Sequence, residues 1–296
     1  MKKTLLLLVL GIMTLGLNNI YAQGETAVPF LLLAPDSRAG GIGESGTGLA
    51  DNGAAIFWNP AGLAFLSGSE VSITHSNWLP QFNLDLFYDY LTYRQYLEDV
   101  DGTVSASITY MNFGEFARTN SSSSDVIGTF TSFDAALTLG YATKVSNDWG
   151  LGFNFRLIHS KLSDKPTEQE QGSGVATSVS FDIAAMWRPE KLYIPFVGDF
   201  DNRLSIGMNL SNLGPKIYYI DQEQADPIPT NFRLGFAAKL FEDEYNSLTF
   251  TLDFSKLLVD RSDTGKARKN FYSTIFTAWG DESFDRELRD IVTSAG

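Results

Sequence analysis

The chain has 296 residues, with 22 basic and 35 acidic side chains, a formal net charge of −13 and no cysteine. The lack of cysteine excludes disulfides, thiol catalysis and cysteine-ligated metal sites. The acidic balance disfavours a nucleic-acid partner, because binding to a phosphate backbone requires a basic face.

The first 22 residues have the organisation of a secretory signal peptide. Lys2 and Lys3 precede an apolar run from residue 4 to residue 17, and the segment ends in the small residue Ala22. This pattern predicts cleavage before Gln23. The alternative, an uncleaved anchor, is disfavoured because the apolar run is too short to span a bilayer comfortably.

A glycine-rich segment occupies residues 23–68. Gly41, Gly43 and Gly46 spell G-x-G-x-x-G, a motif that binds a dinucleotide when it lies between a strand and a helix. Only a short apolar stub precedes these glycines, and no alternation of strands and helices follows them. We therefore do not expect a nucleotide-binding loop here.

From Ser69 onward, apolar and polar residues alternate. In 149–157 the odd positions hold Trp, Leu, Phe, Phe and Leu, and the even positions hold Gly, Gly, Asn and Arg. Similar segments cover 103–113, 130–144, 175–188, 204–210, 232–239 and 248–254. Repeated period-two segments of about ten residues are typical of transmembrane β-barrels. A soluble sandwich shows the same alternation, but the leader, the strand lengths and the aromatic residues near strand ends favour the barrel.

The connections between these segments alternate broadly in length. Two short connections, 146–148 and 241–246, predict periplasmic turns, and the long polar ones predict outer loops. The long connections are 115–128, 163–173, 215–230 and 259–287. The connection 189–202 is an exception, being long on the turn side. About ten strands are visible and 289–296 reads as the start of another, so we expect a chain truncated at its C-terminus.

No residue pattern points to catalysis, a cofactor or a metal. His75 and His159 are the only histidines and no G-x-S-x-G motif is present, although a Ser-His-Asp site stays open. The acidic clusters 199–201 and 242–244 predict solvated turns, with a loop Ca²⁺ site as the minority alternative. Six charged residues on the polar side of the strands are candidates to line the interior and pair with one another: Asp134, Arg156, Asp182, Arg188, Arg233 and Lys239.

The segment 28–66 resembles the N-terminal signature of the PorV family, FadL-like outer-membrane barrels of the Bacteroidetes type IX secretion system. The residues that carry the resemblance are Pro29, Phe30, Leu31, Pro35, Asp36, Arg38, Gly41, Gly43, Asn59 and Pro60. The stretches 150–162, 204–219, 229–240 and 245–259 resemble the same family. The sister component PorQ, or a broader PorV/PorQ-like protein, is the alternative within this group.

The resemblance implies an all-β, FadL-like barrel of 14 strands in outer-membrane lipid, with residues 23–68 as a plug and 69–296 as an incomplete barrel. It implies a non-enzymatic protein that receives cargo C-terminal domains from the SprA/Sov translocon on its long loops and passes them to the PorU sortase. In the plug, we expect Asp36 and Arg38 to pair with lumen residues of opposite sign. The alternatives are a FadL-type transporter of hydrophobic small molecules and, more distantly, a lipid A deacylase.

Overall fold

The computed structural model describes residues 26–82, 84–120, 123–163, 173–196, 198–220, 225–259 and 271–278. In these ranges the chain forms eleven strands: β1 (Ser69–Asn77), β2 (Phe87–Leu97), β3 (Gly102–Asn120), β4 (Ser123–Lys144), β5 (Trp149–Lys161), β6 (Val175–Trp187), β7 (Tyr193–Ile194), β8 (Gly198–Asp199), β9 (Leu204–Leu213), β10 (Asn231–Glu242) and β11 (Ser247–Leu257). Nine of them form one antiparallel sheet in the order β1-β2-β3-β4-β5-β6-β9-β10-β11. Among the described residues the sheet is not closed, since β1 and β11 are its two edges.

The sheet turns its apolar face outward. On β5, Leu151 and Phe153 are 46% and 45% exposed, whereas Asn154 and Arg156, at the alternate positions that follow, are 0% and 6% exposed. A soluble sandwich would bury the apolar set and expose the polar one. The predicted all-β fold is confirmed, and the outward apolar face is the arrangement of a transmembrane barrel.

Strand β2 is not among the segments that the alternation predicts. Its inward residues Tyr88 and Tyr90 are buried aromatics, and Leu91 and Tyr93 are exposed on the other face. Because tyrosine occupies both faces, hydropathy does not alternate along this strand.

The loop predicted at 115–128 is wrong, because β3 and β4 continue through most of it as a two-stranded ribbon. The ribbon starts at a register shift between Asn112 and Glu115, where Gly114 has a φ of +81°. Beyond Asn112, β3 pairs only with β4, so the ribbon projects past the neighbouring strands at the end that bears the long connections. The rings of Phe116 and Phe130 stack across it, 5.6 Å apart.

The exceptional connection 189–202 contains the small β7–β8 hairpin, which explains its length on the turn side. The long connections at 163–173 and 215–230 have no strand among their described residues, apart from a single bridge between Ile217 and Asp226. In 259–287 the described part includes a short helix, Phe271–Thr277. The predicted signal peptide and the segment 289–296 lie outside the described residues.

Short helices precede β1 in the N-terminal segment. They are a 3₁₀ helix at Pro29–Leu32, helices α1 (Ser37–Gly41) and α2 (Ala55–Trp58), and a 3₁₀ helix at Pro60–Phe65. Two more 3₁₀ turns, Pro80–Phe82 and Glu98–Val100, flank β2. Phe30, Ile56 and Leu63 of this segment are almost fully buried against the inner face of the sheet, so the segment supplies much of the apolar core inside the sheet.

In the part of the chain that the structure describes, no helix has the length and apolarity needed to cross a membrane.

Candidate functional site: an N-terminal segment held inside the sheet

Side chains of the strands bind the backbone of the N-terminal segment. The amide of Asn154 on β5 donates to the Ile56 carbonyl at 2.8 Å, and the amide of Asn209 on β9 donates to the Trp58 carbonyl at 2.9 Å. The hydroxyl of Ser205 donates to the Gly48 carbonyl at 2.6 Å. These contacts bind main-chain atoms, so they fix the path of the segment largely independently of its side chains.

The segment also reaches both edges of the sheet. The Thr47 amide donates to the Asp253 carboxylate on β11 at 2.7 Å, and the Gly53 amide donates to the Glu70 carboxylate on β1 at 2.9 Å. On β3, the Thr103 hydroxyl donates to the Leu63 carbonyl at 2.9 Å. Because strands from one edge to the other hold the same segment, the sheet curves around it and the segment fills the interior.

The start of the segment lies at the end with the long connections. The Ala27 amide donates to the Pro227 carbonyl in the connection after β9, at 3.0 Å. The 3₁₀ helix that follows leaves Pro29 exposed and buries Phe30 and Leu31; Pro35 is also buried. The segment then runs inward and joins β1 at the opposite end of the sheet.

Asn59 joins three parts of the chain from a fully buried position. Its amide donates to the Thr47 carbonyl at 3.1 Å and to the Ala185 carbonyl of β6 at 3.2 Å, and its Oδ1 accepts from the Ala61 amide at 3.1 Å. Pro60 occupies the first position of the 3₁₀ helix, where no amide hydrogen is needed. A Cβ on Gly152 would lie 2.4 Å from the Pro60 carbonyl carbon, so the Asn-Pro motif packs directly on the β5 backbone.

Asp36 and Arg38 do not pair with the sheet, and that expectation is wrong. Asp36 caps helix α1 by accepting from the Ala39 amide at 2.8 Å, and it also accepts from the Trp58 indole at 2.9 Å. Arg38 forms an exposed bidentate pair with Asp51, with distances of 2.6 and 3.1 Å. The helix start at Ser37 places the acid at its cap and the arginine on its exposed side, so both find partners within the segment.

The glycines of the G-x-G-x-x-G motif differ in their surroundings. Gly41 and Gly43 are exposed and a Cβ on either would meet nothing within 4 Å. A Cβ on Gly46 would lie 2.5 Å from the Trp58 ring, and one on Gly48 would lie 2.5 Å from the Phe236 backbone. Tight packing, on Trp58 and on the β10 backbone, thus requires glycine at the end of the stretch, whereas Gly43 is favoured by its φ of +76°.

Arg156 and Asp182 pair inside the sheet, with Nη2–Oδ2 and Nη1–Oδ1 distances of 2.8 and 3.1 Å. Arg156 also contacts the Asn212 side chain, and the backbone amide of Asn212 donates to Asp182 at 2.8 Å. Asn212 has a φ of +58° at a register shift between β6 and β9. The ion pair and Asn212 fill this kink in the strand.

The other predicted interior charges have different partners. Arg233 stacks over the Trp58 ring at 4.8 Å, and Arg188 donates to the Leu49 carbonyl at 3.1 Å, so both hold the N-terminal segment. Asp134 is buried, with one carboxylate oxygen unpartnered. Lys239 is not an interior residue, because the strand bulges just after it and its ammonium group pairs with Glu242 at the turn.

The two histidines lie on the outer face and far apart. His75 on β1 contacts the Asp89 carboxylate at 2.6 Å, and His159 on β5 contacts the Thr177 hydroxyl at 3.0 Å. The His75 pair thus contains a carboxylate but no hydroxyl nucleophile, and the His159 pair contains a hydroxyl but no carboxylate. Across the described ranges, no group of three or more His, Asp or Glu side chains could hold a metal ion.

The acidic clusters build turns. Asp201 accepts from the Leu192 amide at 2.7 Å, which closes the base of the β7–β8 hairpin. Asp243 accepts from the amides of Tyr245 and Asn246 at 2.9 and 2.7 Å. These hydrogen bonds stabilise the carboxylate and lower the pKa of Asp243 below its ordinary value.

The sequence reasoning did not single out the residues that hold the segment's backbone: Thr47, Thr103, Asn154, Ser205, Asn209 and Asp253. Asn154 and Asn209 stand at inward positions between apolar residues, and this placement is the signal that could have found them. Their hydrogen-bond partners lie about 100 to 150 positions away in the chain, which only the fold reveals.

The fold and the site together define a class of protein: an antiparallel sheet, apolar outside and polar inside, whose interior is filled by its own N-terminal segment. The chain belongs to the PorV family, since the family model described as type IX secretion system protein PorV matches residues 19–264. The resemblance read from the sequence is therefore confirmed. This is a family of secretion-system components, which points to the outer membrane and is not an enzyme family. No curated protein matches the chain.

Proposed function

We propose that the chain is a non-enzymatic outer-membrane component that receives cargo C-terminal domains from the SprA/Sov translocon and passes them to the PorU sortase. Family membership supports a role in type IX secretion. The observation that supports cargo binding is the filled interior of the sheet. Because the N-terminal segment occupies that interior, the projecting end of the sheet is left as the binding surface.

Aromatic side chains at two levels of the outer face support an outer-membrane position. Neighbouring ring centroids lie 5.5 to 5.9 Å apart along the row His75, Phe87, Tyr110, Phe133 and His159. Trp149 and Trp187 lie together at the other end. On β5 the two levels are ten residues apart, from Trp149 to His159, which is about 25 Å for a strand tilted by about 40°. This spacing matches the apolar band of an outer-membrane barrel.

The β3–β4 ribbon is the best candidate for cargo contact. It projects past the aromatic row, and Val126 and Ile127 near its tip are 62% and 63% exposed. The stacked rings of Phe116 and Phe130 stiffen it, which favours precise binding. A rigid ribbon with exposed apolar side chains near its tip, on the long-connection end, suits the capture of a folded β-domain.

The interior gives little support to FadL-type transport of hydrophobic molecules. Such transport requires an apolar pocket and a lateral opening, whereas the inner strand residues here are mostly hydroxyls, amides and paired charges. The kink between β6 and β9 is filled by Asn212 and the Arg156–Asp182 pair. We therefore retain secretion as the proposed function.

Site-specific photocrosslinking tests the proposal. A photoreactive residue at position 126 or 127 is compared with one at the exposed Tyr245, which lies in the turn after β10 at the opposite end. We expect adducts with exported proteins carrying C-terminal sorting domains, and with the translocon or sortase, from 126 and 127 only. Adducts at none of these positions, in a strain that is actively secreting, contradict the proposal.

We further propose that residues 1–22 are removed on export, that 23–68 form the plug, and that 69–296 belong to a FadL-like barrel. The plug contacts described above support the second boundary, because β1 begins at Ser69. N-terminal sequencing of protein purified from membranes tests the first boundary. A first residue of Gln23 supports it, and Met1 contradicts it.

A further inference from the structure

A small cavity lies between the N-terminal segment and the inner faces of β2–β5. On the segment side it is bounded by apolar side chains, Phe30 among them. On the strand side it is lined by hydroxyls and one guanidinium group, from Tyr88, Tyr90, Ser107, Thr109, Thr138 and Arg156. A cavity with so many polar groups on one wall is suited to hold water.

Two of these hydroxyls are buried without a hydrogen-bond partner. Tyr88 is 3% exposed and Tyr90 is 4% exposed; the Tyr88 hydroxyl faces that of Thr109 and the Tyr90 hydroxyl faces that of Ser107, but neither pair has the geometry of a hydrogen bond. More than nine in ten buried polar groups in proteins are hydrogen-bonded, and an unpaired one carries its full desolvation cost. Two such groups at the wall of one cavity indicate a bound species that pairs with them.

The strand register places further hydroxyls beside these tyrosines. Thr92 lies opposite Ser107, Ser107 opposite Thr138, and Thr138 opposite Arg156. The Thr92 hydroxyl is also buried without a partner, whereas Arg156 already donates to Thr138 at 3.1 Å and to Asp182. The wall therefore offers neutral hydroxyls and no free charge, which suits water and not an ion.

Away from the two tyrosines, the strands hold the N-terminal segment directly. There Asn154, Ser205 and Asn209 reach the backbone of the segment directly, at 2.6 to 2.9 Å. The β2 residues Tyr88 and Tyr90 make no such contact. Glu70 of β1 and Thr103 of β3 also bind the segment directly, so the gap is confined to the cavity beside the two tyrosines.

We propose that this cavity is a binding site for ordered water, which bridges the Tyr88 and Tyr90 hydroxyls to the neighbouring hydroxyls of β2–β4. The water completes the polar contacts beside β2, where the Tyr88 and Tyr90 hydroxyls do not reach the plug. This inference does not depend on the proposed function in secretion.

The sign of a stability change tests the proposal in the purified full-length protein. Tyr88→Phe and Tyr90→Phe remove one hydroxyl each and keep the ring. If water is bound, each substitution deprives it of a partner, and we expect the midpoint of thermal unfolding to fall by about 2–4 °C. If the cavity is dry, each removes an unpaired buried group, and an unchanged or higher midpoint overturns the proposal.

Two tyrosines serve as matched controls. Tyr93 is exposed and donates to Gln95 at 2.6 Å, so Tyr93→Phe is expected to leave the midpoint unchanged. Tyr219 donates directly to Ser160 at 2.8 Å in a half-buried position, so Tyr219→Phe is expected to lower it. In a crystal structure that resolves surface water, density within hydrogen-bonding distance of both Tyr88 and Tyr90 supports the site, and an empty cavity refutes it.

Discussion

Arg156 and Asp182 form a bidentate ion pair on the inner face of neighbouring strands, with 8% and 0% of their side chains exposed. Taking two charges out of water costs several kcal/mol each, and their attraction offsets this only when the remaining hydrogen-bonding capacity is also filled. Asn154 donates to Asp182 at 2.8 Å and Asn212 contacts both partners, so the pair is fully coordinated. The pair fills the interior of the sheet at the point where the register of the β6–β9 pairing shifts.

Removing one partner of this pair is expected to be strongly destabilising. Asp182→Ala leaves the Arg156 guanidinium buried and unpaired, at a cost of about 3–5 kcal/mol in the free energy of unfolding. The exposed pair of Arg38 with Asp51 is the control, since Arg38→Ala should cost at most about 1 kcal/mol. Denaturant unfolding measures both, and similar small losses in the two variants would contradict the role assigned to the buried pair.

Replacing Gly41 or Gly48 by alanine is expected to change the stability of the protein in opposite directions. In Gly48→Ala the new methyl group meets the Phe236 backbone at 2.5 Å, and neither backbone segment can move freely. The free energy of unfolding should therefore fall by about 1–3 kcal/mol or more. In Gly41→Ala the methyl group has open space within helix α1, so stability should rise by up to about 1 kcal/mol. Thermal unfolding compares them. Equal losses of stability in the two variants would show that residues 41–48 are tightly packed throughout.

Asn209→Ala is expected to loosen the N-terminal segment while the sheet stays folded. The substitution leaves the Trp58 carbonyl buried without its donor, at a cost of about 1–3 kcal/mol. Limited proteolysis should then cut within residues 26–66 faster than in the unaltered protein. Asn77→Ala at the exposed end of β1 is the control, and equal cleavage rates in both variants would argue against a specific restraint by Asn209.

A charge on the outer face tests whether that face lies in lipid. Ile183 points outward near the middle of β6 and is 57% exposed. Ile183→Lys should destabilise the membrane-inserted protein by about 2–4 kcal/mol, because the ammonium group would lie near the bilayer midplane. Val145→Lys, in the turn after β4, should cost about 0–1 kcal/mol. A tolerated lysine at both positions would place the outer face in water.

The turn at Asp243 gives a pH dependence with a defined sign. The amides of Tyr245 and Asn246 bind its carboxylate and lower its pKa below the unfolded value of 3.8. The stabilisation is therefore present above pH 3.8 and is lost as the pH falls through the lower, folded pKa. Subtracting the pH profile of Asp243→Asn from that of the unaltered protein should isolate this loss. A difference that stays constant with pH would show that the turn does not depend on the carboxylate.

The alternation of residues along the strands could be predicted with little ambiguity from the sequence. Phe153 and Asn154 fall on opposite faces because a strand has a period of two. The β2 strand escaped prediction because tyrosines occupy both of its faces, and the β3–β4 ribbon escaped it because its serine-rich tip resembles a loop. Local composition identifies a strand only where its two faces differ in polarity.

The N-terminal signature was visible in the sequence, but the roles of its residues were not. Asn59 and Pro60 stand in a recognisable motif, and the sequence also marks Asp36 and Arg38 as charged residues of the signature. Which groups they bind depends on short helices whose starts are set by caps such as Asp36 itself. The pairing of Arg38 with Asp51 followed from that local geometry and not from charge complementarity with the strands.

The sequence by itself determined the family, the all-β fold and the two chemically distinct faces of the sheet, because these depend on neighbouring residues and their order. Only the tertiary structure decided that the apolar face is the outer one, since alternation is the same in a sandwich and a barrel. It also decided that Asn154, Asn209 and Asp253 hold the N-terminal segment, because their partners are 98, 151 and 206 positions away in the chain. Contacts at such separations arise only when the sheet curves around the segment.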